Sequence, residues 1–92
     1  MTRVLGVDPG EVRIGLAVSD PSRTIARPLE VLPHRSRAED ARRIVEIARR
    51  EHAVAIVVGV AYNDAGEVGA SARRGLRLAE ALRQAGFAAV ET

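Results

Sequence analysis

Val4-Leu5-Gly6-Val7-Asp8-Pro9-Gly10-Glu11-Val12-Arg13-Ile14-Gly15-Leu16-Ala17-Val18-Ser19-Asp20 is the stretch whose reading decides the fold. Two apolar runs flank a Pro-Gly turn, the pattern of a β-hairpin. Side chains alternate along a strand. Taking Pro9 to Val12 as a four-residue loop pairs Asp8 with Arg13, Gly6 with Gly15 and Val4 with Ala17. Those six share one face, while Leu5, Val7, Ile14, Leu16 and Val18 line the other as core. Asp8 ends the first strand. A carboxylate among apolar neighbours needs compensation, from a metal ion or from the turn's own backbone N–H groups. The glycines leave little side chain on its face, and strand glycines often mark close approach of a ligand or another backbone. Two readings stay open on these residues alone. Asp8 stands at the edge of a cleared surface, or it is a turn former ahead of Pro-Gly in a hairpin packed under a helix.

A chain of 92 residues makes one domain. At this size folding buries only roughly 60–65% of the unfolded surface, so the stability margin is thin. Tyr62 and Phe87 are the only aromatics, and the core must come from Val, Ile, Leu and Ala. The absence of cysteine excludes disulfides and thiolate metal sites and fits a reducing cytoplasm. No apolar run approaches the ~20 residues of a membrane span. Met1-Thr2-Arg3 leads straight into a strand, which reads as no signal peptide. All 14 basic residues are arginine, whose fork suits phosphate oxygens. Codon bias in a GC-rich genome explains the same preference, and a net charge of +2 is too small to mark a nucleic-acid footprint by itself.

Beyond the hairpin, Ile25, Leu29 and Val31 suggest a third strand over Arg23–Leu32, antiparallel to the second after a short Asp20-Pro21-Ser22 link. Pro28 cannot donate to a ladder, which pushes this strand to the sheet edge. Ser36 with Glu39 forms a capping box that opens a helix over Arg37–Glu51. Ala41, Ile44, Val45 and Ala48 give that helix its buried face, and Glu39–Arg43 and Glu46–Arg50 are i,i+4 pairs on the wet side. The Arg42-Arg43 and Arg49-Arg50 doublets read as solvated surface, and His34 and His52 as surface residues rather than metal ligands.

The run Ala53-Val54-Ala55-Ile56-Val57-Val58-Gly59-Val60 suggests a strand covered on both faces, hence central and parallel to the first. A right-handed crossover sets it beside the first strand, with its carboxyl end on the same edge as Asp8. Ala61–Glu67 hangs over that edge and brings Tyr62, Asn63, Asp64, Gly66 and Glu67 near Asp8; an Asn-Asp turn explains the same residues. A second helix follows over Val68–Ala85, with Ala72, Leu76, Ala79 and Leu82 as its stripe. Gly69 and Gly75 weaken its first turns or mark a close neighbour. Gly86 suits C′, and Phe87–Glu91 begins a fifth strand whose open edge invites pairing.

Gly6-Val7-Asp8-Pro9-Gly10, Arg13-Ile14-Gly15 and Ala17-Val18-Ser19-Asp20 resemble the amino-terminal signature of the YqgF family. Pro28-Leu29-Glu30, Ile56-Val57-Val58-Gly59-Val60 and Asn63-Asp64-Ala65-Gly66-Glu67 match further along, so the resemblance covers the whole chain. These are RNase H-like, Holliday-junction-resolvase-type nucleases, also described as enzymes that finish the 5′ end of pre-16S rRNA. The resemblance implies an α/β fold with an RNase H-like mixed sheet in the order β-β-β-α-β-α-β, incomplete at the carboxyl terminus. It implies a cytoplasmic, Mg2+- or Mn2+-dependent hydrolase acting on precursor rRNA or branched DNA, with no membrane partner. Asp8 becomes the catalytic, metal-binding acid, and Gly10, Arg13 and Asn63 become substrate-binding candidates. The family usually carries a proline near position 61, where alanine stands here.

The family completes its site with an Asp-Glu-Arg-Leu-Thr-Thr-like stretch after the fifth strand and an aspartate on a final helix. Thr92 stands where that stretch should begin. Asp20, seven residues along the second strand, lies roughly 23 Å from the turn at strand rise. Asp64, Glu67 and Glu91 sit at the correct edge but match no family ligand. The chain therefore reads as an amino-terminal piece lacking the domain's last third and inactive alone. Two other functions remain open: a non-catalytic nucleic-acid-binding or regulatory module, and an actin-like phosphate-binding half-domain whose Asp-x-Gly turn cradles phosphate.

Overall fold

The computed structural model describes residues 3–19 and 26–92. The elements run β1 (Arg3–Pro9), β2 (Arg13–Ser19), β3 (Ala26–Pro33), α1 (Arg37–Arg50), β4 (Ala53–Val58), α2 (Ala70–Gln84) and β5 (Val90–Glu91). One mixed sheet holds all five strands in the order β3-β2-β1-β4-β5. The hairpin and meander are antiparallel, whereas β4 runs parallel to β1, and β5 parallel to β4. This is the expected element order, with Pro28 on the edge strand β3, where its missing N–H costs least. The link at 20–25, including Ile25 and Asp20, lies outside the described residues.

The hairpin register departs from the expected one. Asp8 pairs with Gly15, Gly6 with Ala17 and Pro9 with Ile14. Pro9 extends β1 instead of opening the loop, and the turn tightens around Gly10, where a Cβ would lie 2.5 Å from the Arg13 carbonyl oxygen. The slip is two residues, an even number, so no side chain changes face. Leu5, Val7, Ile14, Leu16 and Val18 are all buried as expected.

Both helices cover one face of the sheet. Crossovers of this type are right-handed, and β3-α1-β4 and β4-α2-β5 step across the sheet in the same direction. One core joins Leu5, Val7, Ile14, Leu16, Ile56 and Val58 to Ala41, Ile44, Val45, Ala48, Leu78, Ala79 and Leu82. The continuous apolar run of β4 was expected to be covered on both sides; it is not. Ile56 and Val58 face the helices, whereas Val57 is 36% exposed on the opposite face. Val54 is exposed at an irregularity where Arg3 pairs with Ala53 but Val4 with Ala55. No helix among the described residues is long and apolar enough to cross a membrane.

Helix α1 starts where the capping box put it. The Ser36 hydroxyl accepts from the Glu39 N–H at 3.1 Å. The expected i,i+4 pairs do not form, because other partners compete. Arg43 donates to the Pro33 carbonyl at 3.1 Å, and Arg50 meets Glu30 at 3.3 Å and Glu51 at 3.5 Å. His34 and His52 are both exposed. His34 nevertheless bonds through Nδ1 to Asp40, a carboxylate with only 2% of its surface accessible that also accepts from the Arg35 N–H at 3.1 Å. Asp40 thereby ties the β3–α1 connection to the first turn of α1.

Helix α2 begins at Ala70, two residues later than expected, with Gly69 as N-cap. Its buried stripe is Ala72, Gly75, Leu78, Ala79 and Leu82, and Leu76 stays 38% exposed. Gly75 is the reason for this rotation. A Cβ there would lie 2.6 Å from the Gly59 carbonyl oxygen and 3.1 Å from Val60 Cγ2, so the helix rests backbone to backbone on the exit of β4.

Candidate active site

Parallel strands bring their carboxyl ends to one rim, and open α/β sheets bind ligands there. β1, β4 and β5 all exit on that rim. The Gly59 N–H donates to the Val7 carbonyl at 2.8 Å, which locks the end of β4 against the residue before Asp8. Asp8 follows immediately and is exposed. The carboxylate is open to solvent, and no hydrogen bond to its side chain forms among the described residues. The compensation expected from turn N–H groups is therefore not needed.

Three concavities meet at this point. A rim cleft of about 470 Å³ is lined by Asp8, Pro9, Gly10, Gly59, Ser71 and Arg74, among others. On the helix-free face, a groove of about 650 Å³ runs from Asp8 past Gly6, Gly15 and Ala17 to Leu29 and Val31 on β3. Behind the turn, a third cleft of about 360 Å³ opens between the amino ends of α1 and α2, and shares Pro9, Gly10 and Arg74 with the rim cleft.

Of the expected site residues, Asp8 and Gly10 come together on the rim cleft. Gly10 lets the turn close beneath it. Arg13 is exposed at the start of β2, opposite Pro33 rather than Asp8. Asn63 lies outside all three linings and is occupied locally. Its side-chain oxygen accepts from the Ala65 N–H at 3.0 Å and the Glu67 N–H at 2.8 Å, and its amide donates to Glu67 Oε1 at 3.4 Å. That is the Asx-type turn that the residue types alone allowed. Asp64, Glu67 and Glu91 are exposed.

Arg74 and Ser71 are functional candidates that sequence reasoning passed over. Arg74 lines the rim cleft and bonds Glu11 at 3.2 Å across the turn. Its signal was present: Arg73-Arg74, with Arg77 one turn on, stands at the start of a helix with no acid in its first turn.

Magnesium and manganese take several oxygen ligands. Asp8 suits one such position, a hard carboxylate in an open cleft. Among the described residues, no group of three or more Asp, Glu, His or Cys side chains could hold an ion. Asp8 therefore fits as one ligand, and the set around it is not complete in residues 3–19 and 26–92.

Comparison with known proteins bears on the same residues. Similar relatives, each named "Putative pre-16S rRNA nuclease", include one from Nocardia farcinica (40% identical; 89% of this chain, 49% of the relative) and one from Anaeromyxobacter sp. (43% identical; 97% and 65%). A third, from Caldanaerobacter subterraneus, is 37% identical over 89% of this chain and 59% of its own. The chain thus spans between about half and two thirds of these relatives' lengths. Among solved structures, Thermus thermophilus RuvC in complex with a Holliday junction substrate matches with a TM-score of 0.57 and 22% identity, over 95% of this chain and 59% of that one. This likeness makes the sheet and its two helices RNase H-like. The family model described as "RuvX: Holliday junction resolvase" matches residues 2–92, and the chain belongs to that family.

Proposed function

We propose that this chain supplies Asp8, the leading-strand carboxylate, to a metal-dependent nuclease acting on precursor rRNA or branched DNA. The remaining acids of the site would lie in sequence outside these 92 residues. One observation carries the reading: in a RuvX chain, Asp8 is exposed on the rim where β1, β4 and β5 all exit. The lengths of the relatives and the incomplete ligand set support the second part.

Within this reading the chain's own residues position and clear. The bare backbone of Gly6 and Gly15 keeps the face beside Asp8 open to a strand of nucleic acid. Gly10 holds the turn beneath the rim, and Arg13 borders the substrate path at the start of β2. Asn63 fixes the shape of the loop after β4. A bound magnesium or manganese ion would supply phosphate polarisation and an activated water. Asp8 would serve as one of its oxygen ligands.

The test is cleavage of branched DNA and of precursor rRNA with Mg2+ or Mn2+, by the 92-residue chain and by a version extended through the sequence its relatives carry. The extended protein should cut, and Asp8→Asn should abolish cutting, while the shorter chain stays inactive. Cleavage by the extended protein that survives Asp8→Asn overturns the role of Asp8. Cleavage by the shorter chain that Asp8→Ala removes overturns the division of the site.

A further inference from the structure

The cleft of about 360 Å³ behind the β1–β2 turn is not explained by the chemistry at Asp8. Arg37 from α1 and Arg73, Arg74 and Arg77 from α2 line it, with His34, Glu11 and Asp40. The two acids are already engaged. Asp40 is buried and holds His34 and the Arg35 N–H. Glu11 pairs with Arg74 at 3.2 Å. Arg73 donates to the Val68 carbonyl at 3.3 Å. Among the described residues, no carboxylate lies within 4.0 Å of the Arg37, Arg73 or Arg77 guanidinium. A surplus of positive charge therefore lines one small concavity.

Helix physics does not account for these arginines. The amino end of a helix carries partial positive charge and favours acids. Arg37 is the first residue of α1, ahead of the acids Glu39 and Asp40, and Arg73 and Arg74 are the fourth and fifth residues of α2, whose N-cap Gly69 offers no side-chain cap and whose first turn holds no acid. Arg73 and Arg74 also stand four and three residues before Arg77, spacings at which like charges repel. An anion in the cleft would reverse each of these penalties at once. A phosphate group fits best, because guanidinium forks match its oxygens in pairs.

We infer that this cleft binds a backbone phosphate of the nucleic-acid strand, on the helix side of the β1–β2 turn, while an adjoining part of the strand reaches Asp8. The inference rests on the nucleic-acid reading above. The clefts share Pro9, Gly10 and Arg74, so one strand can pass from one to the other without leaving the surface. Arg37 and Arg77 are positioning residues for substrate and take no part in bond breaking.

Binding of a fluorescein-labelled single-stranded RNA to the 92-residue chain, read by anisotropy without divalent metal, tests this. Arg37→Gln/Arg77→Gln should weaken binding roughly 100-fold, about tenfold per charge-assisted contact. The same pair should lower the slope of log affinity on log salt by about 0.7, the contribution of one phosphate contact on a single strand. Arg42→Gln/Arg49→Gln removes equal charge from exposed positions outside the cleft and should change affinity less than about threefold. Equal losses in the two pairs, or no binding by the unaltered chain, overturn the inference. A titration with inorganic phosphate, followed by NMR of the arginine Nε–H signals, separates the two sources of the anion. Millimolar or weaker binding supports a strand phosphate, and binding as tight as that of the RNA overturns it. The cleft is read by RNA binding without metal, through the Arg37→Gln/Arg77→Gln pair, and the role of Asp8 by cleavage with metal, so failure of the one reading is told from failure of the other.

Discussion

Asp8 stands directly across the hairpin ladder from Gly15, and a Cβ placed on Gly15 would lie 3.8 Å from the Asp8 Cβ. That is ordinary contact, so alanine fits, but the branches of a larger residue would press on the carboxylate. Glycine inside a strand costs roughly 0.5–1 kcal/mol relative to alanine. Gly15→Val should therefore raise stability or leave it unchanged in urea denaturation, and should still suppress cleavage by the extended protein. A stable variant with full cleavage would show that the space beside Asp8 has no role.

Asp8→Asn should be nearly silent for folding. The side chain is exposed and forms no hydrogen bond among the described residues, and such surface changes stay within about 0.5 kcal/mol. Thermal denaturation should place the midpoint within roughly 2–4 °C of the parent. A large drop would favour a structural carboxylate and a non-catalytic module.

Gly75→Ala should destabilise, although alanine is the better helix former by about 1 kcal/mol. Its Cβ would meet the Gly59 carbonyl oxygen at 2.6 Å, a backbone atom that cannot move aside cheaply. A net loss of about 1–3 kcal/mol is expected from overpacking, measured by chemical denaturation. Gly69→Ala makes the control, since nothing lies within 4 Å of a Cβ there.

Asp40→Ala should cost about 2–3 kcal/mol, because it strips the acceptor from His34 and from the Arg35 N–H at a site with 2% exposure. The loss should appear in equilibrium unfolding and as faster amide exchange at Arg35. Ser36→Ala, which removes the cap on the Glu39 N–H, should cost about 1 kcal/mol.

Most of the architecture could be read in the chain because it rests on local rules. Alternation separated Leu5, Val7, Ile14, Leu16 and Val18 from the Asp8 face, and Ser36 marked the start of α1. Tertiary detail could not be read. The register turned on how closely Gly10 approaches the Arg13 carbonyl, a contact between backbones that side-chain patterns do not encode. Val57 has the composition of a buried residue and lies on the helix-free face, because the direction of the crossovers, not hydrophobicity, decides which face is covered. Asp8 was legible as the end of an apolar run. The arginine cleft was not, because Arg37 and Arg77 are 40 positions apart and only the packing of α1 against α2 unites them.

The seat of Gly75 on Gly59 has a further result. The segment from Ala61 to Gly69 leaves the sheet and returns to a helix that is already fastened to the point of departure. It is a detour whose two ends belong to one rigid piece. Its length and composition can change while Ser71 and Arg74 keep their distance from Asp8, which leaves this excursion free to be redrawn without disturbing the rim.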